Sequence, residues 1–294
     1  MTVGGGPIFI GGLSHSGKTE LRVALATHPE LSLTRRTYLW DRYYGRFGDL
    51  SRAGHLDRCL SAMVRDEAVA ALGPDPARIR RELAEGPASY ARLFGLLHAH
   101  HAERLGKRRW GEQLGFIERF ADPIFEAFPG GRMIHMVRDP RARAGEAGAK
   151  RRRGSAGWET ARWLRSAELA RRNQTRYADG YRVVRYESLA AQPESTLREL
   201  CAFLEEDYLP RMGDALEGMG SDDRPAEGVL KTEAAFMELV AADELPRFGY
   251  EPSYPALSTR EQIAFAFVDR PLNRATMTAW RTLGRGRMPR KVAG

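Results

Sequence analysis

Apolar residues fall along this chain in two rhythms. Pro7-Ile8-Phe9-Ile10-Gly11 is a short unbroken apolar run closed by glycine, which reads as a strand buried on both faces of a parallel sheet. Directly after it, Leu21, Ala24 and Leu25 recur at helical spacing, and that helix stops before Pro29. Residues 37–106 then read as mostly helical, with the turn Gly73-Pro74-Asp75-Pro76 as a break. A short strand is expected within 107–113, a helix over 116–128, and a second central strand over 132–140, ended by Pro140. A helix from about Trp158 to Tyr177 leads to a third strand over 181–189. Pro193 opens another helix, whose stripe is Leu197, Leu200, Phe203 and Leu204. Residues 205–257 read as loop-rich, a last helix spans 258–282, and 283–294 form a flexible basic tail.

Strands alternating with helices predict a three-layer α/β/α fold, a central parallel sheet covered on both faces, in one domain over 1–294. In such sheets ligands bind beyond the C-terminal strand ends, so residues far apart in sequence can meet in one crevice. The first strand runs into Gly12-Leu13-Ser14-His15-Ser16-Gly17-Lys18-Thr19, which fits the phosphate-loop spacing G-x-x-x-x-G-K-[ST], and a helix follows. That context lets loop amides and helix N-terminal amides converge on one anion. The candidate contacts are Gly12, Ser14, His15, Ser16, Gly17, Lys18, Thr19 and Glu20.

Charge narrows the ligand. The chain has 294 residues and a net charge of +8. A basic chain can bind nucleic acid, an anionic membrane or an anionic small ligand, and here the positive charge clusters over 132–154, directly after the second central strand. No run of 18 apolar residues occurs, so no membrane span is expected, and the N-terminus lacks the basic region of a signal peptide. Cys59 and Cys201 sit far apart among apolar neighbours and read as buried thiols, which points to the cytoplasm.

Four blocks in order resemble sulfotransferases that use 3′-phosphoadenosine-5′-phosphosulfate (PAPS), over 7 to about 210. They are the loop block 7–31, Arg109-Trp110-Gly111-Glu112-Gln113 with its neighbours, "RMIHMVRDPRARAGEA" and "YRVVRYESLAAQPESTLRELCAFL". The resemblance implies a P-loop fold and transfer of a sulfuryl group from PAPS to a hydroxyl or amine, releasing PAP, with no metal required. The acceptor would be a small molecule, a lipid or a carbohydrate, not a nucleic acid. The helical segment 37–106, with Tyr38, Trp40, Tyr43, Tyr44 and Phe47 among Arg35, Arg36 and Arg42, reads as its wall. Lys18 would stabilise the departing bridging oxygen, Arg138 would hold the 3′-phosphate and Tyr186 the adenosine. Glu112 would be the general base. Where the family often carries a serine the chain has Glu146, and Arg143, Lys150 or Arg151 is the replacement donor. Gln113 stands where the family block carries lysine. Two other classes stay open: a P-loop nucleotide kinase, which needs an acidic Mg²⁺ ligand such as Asp139, and an inactive relative that only binds PAP or a nucleotide.

Overall fold

The structure, a computed structural model, describes residues 5–145, 152–217 and 229–285. Glu146, Lys150, Arg151 and most of the expected tail lie outside them. Five parallel strands form one sheet in the order β2-β3-β1-β4-β5, with β1 Ile8–Gly12, β2 Leu31–Arg35, β3 Arg109–Gln113, β4 Arg132–Val137 and β5 Tyr181–Arg185. The loop strand β1 is central, and β4 pairs directly with it from Ile8 opposite Arg132 to Gly12 opposite Met136.

Both faces of β1 are apolar because both are covered. Ile8 and Ile10 pack with Leu21 and Leu25 of α1 (Lys18–Ala26) and with Leu197, Leu200 and Leu204 of the helix Pro193–Leu204. Phe9 points the other way, into Trp40, Leu93, Phe94 and Leu97. Helices Ala53–Arg65, Pro76–Ala84 and Tyr90–Arg104 build that second layer, as the periodicity over 37–106 predicts. Asp75 and Ser89 cap two of them by accepting hydrogen bonds from first-turn amides.

Two elements depart from the pattern reading. β2 is a strand of five residues at the sheet edge whose Leu-Ser-Leu-Thr alternation is too short to stand out. The helix Lys231–Val240 lies inside the stretch expected to be loop-rich; its Phe236 and Met237 are buried against Ala156 and Ala161. The third strand also ends early: Tyr186 opens a short helix, Tyr186–Ala191, instead of continuing β5. Cys59 and Cys201 are buried and unbridged. Among the described residues no helix is long and apolar enough to cross a membrane.

Candidate functional site

Beyond the C-terminal ends of β1–β4 lies a cleft of about 530 Å³. The loop after β1 forms its floor: Gly12 through Glu20 all line it, and so do Arg138 and Tyr186. The loop needs glycine where it turns. Gly12 has φ +117°, and a Cβ there would meet the Met136 carbonyl oxygen at 2.2 Å; Gly17 has φ +83° and abuts the Tyr186 ring. Lys18 is the first residue of α1 and is buried. Its ammonium donates to the Leu13 carbonyl and lies 3.5 Å from Ser16 Oγ, so it closes over the loop.

Beneath the loop sits a polar cluster that no sequence motif marks. Glu118 is fully buried; its Oε2 accepts from the Gly12 amide at 2.9 Å and its Oε1 from Ser166 Oγ at 3.0 Å. His135, equally buried, contacts Tyr181 OH at 2.7 Å and Ser166 Oγ at 2.9 Å, and burial lowers its pKa. A buried carboxylate needs compensation. Here the loop amide and the nearby Lys18 charge supply it. The one available signal was a lone acid between Ile117 and Phe120.

Burial lowers the Lys18 pKa from 10.5 to about 8; Glu118 and Glu20 oppose the shift, Arg143 and Arg162 add to it. The ammonium is therefore lost in the folded protein as pH rises through about 8, while the unfolded chain keeps it up to 10.5. Folding stability from this group is full above 10.5 and is lost as pH falls toward 8. An activity that needs the Lys18 ammonium moves oppositely. The pH profile of kcat/KM is expected to fall on an alkaline limb near 8, and Glu118→Gln, which removes a supporting charge but keeps an acceptor for Gly12, should shift the limb to lower pH. A limb that stays in place in the variant would disconnect Glu118 from Lys18.

Arg138 follows β4 and is buried. Its guanidinium carbon lies 4.0 Å from the Tyr186 ring centroid, and its Nη1 donates to the His15 carbonyl at 3.1 Å. Gly17, the Tyr186 ring and Arg138 thus form one stack, which ties the loop to the end of β4. Tyr186, expected against the adenosine, lines the cleft and carries Arg138 over its ring. Asp139 is taken by Arg141, whose Nη2 donates at 2.6 Å and Nε at 3.0 Å. Arg143, expected as a phosphate donor, turns to Glu159 at 2.6 Å and is not part of the cleft lining; Arg162 lines the cleft instead. Among the described residues no three His, Cys, Asp or Glu side chains come together to hold a metal.

Glu112 is not part of the cleft lining either. Strand alternation decides this: Gln113 faces α1 and lines the cleft, 3.5 Å from Thr19 Oγ1, so Glu112 points to the opposite face. There it is fully buried, accepts from the Thr37 hydroxyl, and lies 3.5 Å from His98 Nε2. His98 in turn stacks on Trp110, while His100 meets Glu82 at 2.7 Å. The flanking Arg108 and Arg109 pair with Glu206.

The far half of the cleft is lined by Arg36, Tyr38, Asp41, Leu114, Gly115 and Phe116. The aromatic neighbours Trp40, Tyr43, Tyr44 and Phe47 belong to the core beneath it. Asp41 is paired with Arg119. Six non-glycine residues have positive φ among the described ones, and four of them line this cleft: His15, Arg36, Tyr38 and Phe116. Each such residue costs roughly 1–3 kcal/mol. That strain collects around one cleft.

The sequence pattern of the sulfotransferase family matches residues 7–210. The chain belongs to the sulfotransferase family. Among solved structures, the sulfotransferase domain of the Synechococcus PCC 7002 olefin synthase is similar at 20% identity and TM-score 0.50, over 88% of this chain and 92% of that one. The sulfotransferase domain from the curacin biosynthetic pathway shares 20% identity at TM-score 0.47, over 90% of this chain and 97% of that one. A sulfotransferase from Alicyclobacillus acidocaldarius shares 17% identity at TM-score 0.45, over 83% and 96%. At these identities the likeness concerns the fold. No curated protein matches the sequence.

Proposed function

We propose that the protein transfers a sulfuryl group from PAPS to a hydroxyl or amine of a small-molecule, lipid or carbohydrate acceptor and releases PAP. The observation that carries this reading is the stack of Gly17, Tyr186 and Arg138, which sets a guanidinium fork beside a phosphate loop in the same cleft. A fork of this kind suits a second phosphate on the nucleotide. The loop residues Gly12 to Thr19 suit the 5′-phosphosulfate, with Ser16 and Lys18 in the cleft lining at the N-terminus of α1. The pairing of Asp139 with Arg141 speaks against the kinase alternative, because that carboxylate is not offered to a Mg²⁺ ion.

In the transfer, the acceptor oxygen forms a bond to sulfur while the bond from sulfur to the bridging oxygen breaks. The electron pair of the broken bond stays on the bridging oxygen. Lys18 sits where that charge grows, so its attraction is largest in the transition state. Glu20, Asp41 and His15 line the cleft, and each carries a group that can take the acceptor proton. Glu112, on the far face, supports the cleft from below in this reading.

PAP should stabilise the protein by mass action, by about 2.7 kcal/mol at one hundred times its Kd. A thermal-shift series with PAP in EDTA and with Mg-ATP checks the reading. A clear shift with PAP and little with Mg-ATP is expected; the reverse order would assign the cleft to a kinase.

A further inference from the structure

Arg36 stands apart from the other cations of the cleft. Lys18 covers the loop, Arg138 stacks on Tyr186, and Arg162 lies 3.3 Å from Glu159. Arg36 is exposed, lines the cleft, and its guanidinium makes no hydrogen bond or ion pair with any described residue. It follows β2, on the other side of β1 from Arg138. Strand order β2-β3-β1-β4 separates the two by three strand spacings, roughly 14 Å across the sheet. A nucleotide anchored at Arg138 and the loop occupies the β1–β4 half, so Arg36 faces the half left to the acceptor.

The backbone around Arg36 is fixed. Arg36 and Tyr38 both have φ +54°, on either side of the buried Thr37. The Arg36 amide donates to the Gln113 carbonyl at 3.3 Å, extending the pairing of β2 with β3. The Thr37 hydroxyl donates to Glu112, a fully buried carboxylate. A turn held this way presents two side chains at once: a cation, Arg36, and an aromatic ring, Tyr38, with Phe116 nearby in the lining.

The geometry points to an acceptor that carries a carboxylate: a hydroxy acid whose carboxylate meets Arg36, whose body lies along Tyr38 and Phe116, and whose hydroxyl reaches the Lys18 end of the cleft. Glu112 is then a positioning residue that acts through Thr37. The inference rests on the donor reading above and adds the acceptor class to it.

The test is calorimetry on PAP-saturated protein. The ligands are hydroxy acids of different lengths, 4-hydroxybenzoate, 3-(4-hydroxyphenyl)propionate and 6-hydroxyhexanoate, each against its uncharged methyl ester. At least one acid should bind roughly 10-fold or more tighter than its ester, the range for a hydrogen bond to a charged group. Arg36→Ala should abolish that preference and leave PAP affinity unchanged. Thr37→Val, checked for an unaltered melting temperature in PAP, should reduce the preference without touching PAP; if this variant melts early, Thr37→Ala, which also removes the hydroxyl that donates to Glu112, replaces it. The inference is overturned if no acid outbinds its ester, if Arg36→Ala keeps the preference, or if Arg36→Ala weakens PAP itself. Failure of the parent to bind PAP would instead bring down the donor reading.

Discussion

Replacing Lys18 with alanine is expected to lower kcat roughly 10²- to 10³-fold, the range for losing one preorganised donor at a developing charge. The reason lies in where the ammonium is held. Lys18 is buried at the start of α1 and is fixed by the Leu13 carbonyl and Ser16, so little reorganisation is needed as charge grows on the bridging oxygen. The ground state has its charge spread over loop amides as well, so PAP affinity should fall much less than turnover. Turnover of PAPS with a saturating hydroxy acid, beside calorimetry with PAP, separates the two effects. Equal losses in kcat and in PAP binding would assign Lys18 to ground-state binding alone.

Arg138→Ala is expected to weaken PAP by roughly 10- to 150-fold, which corresponds to about 1.5–3 kcal/mol for a hydrogen bond to a charged group. Adenosine 5′-phosphosulfate has no 3′-phosphate and provides the control. Arg138 also donates to the His15 carbonyl, so both ligands should share a small common loss from a looser loop. The diagnostic is the ratio: PAP should lose far more than adenosine 5′-phosphosulfate. If the two weaken by the same factor, Arg138 serves the loop and the Tyr186 stack, and the 3′-phosphate is held elsewhere.

Much of this site was legible because its signals are local. The glycine loop, β1 and α1 follow one another within about twenty residues, and each limits the others: a buried apolar run, two glycines with positive φ, then a helix. Arg138 was legible for the same reason, since Pro140 marks the end of β4. Roles that depend on which way a side chain points were not legible. Glu112 and Gln113 are neighbours on β3, and only the pairing with β1 and β2 shows that Gln113 takes the cleft while Glu112 takes the core. Arg143 could be recognised as basic, but its partner Glu159 sits 16 residues on, in the helix Ser155–Arg176. Glu118 touches Gly12 across 106 residues, a contact no local pattern encodes. β2 escaped because a five-residue edge strand carries little periodicity, and with it went the turn that presents Arg36 and Tyr38.

The donor is the central claim, and the most direct measurement compares two nucleotides that differ only at the 3′ position. Titration of the protein with PAP and with AMP, both in EDTA, isolates the 3′-phosphate from the rest of the ligand and from any metal. PAP should bind at least about 10-fold tighter than AMP without Mg²⁺, as the Arg138 fork requires. Equal affinities, or nucleotide binding that appears only with Mg²⁺, would contradict the account.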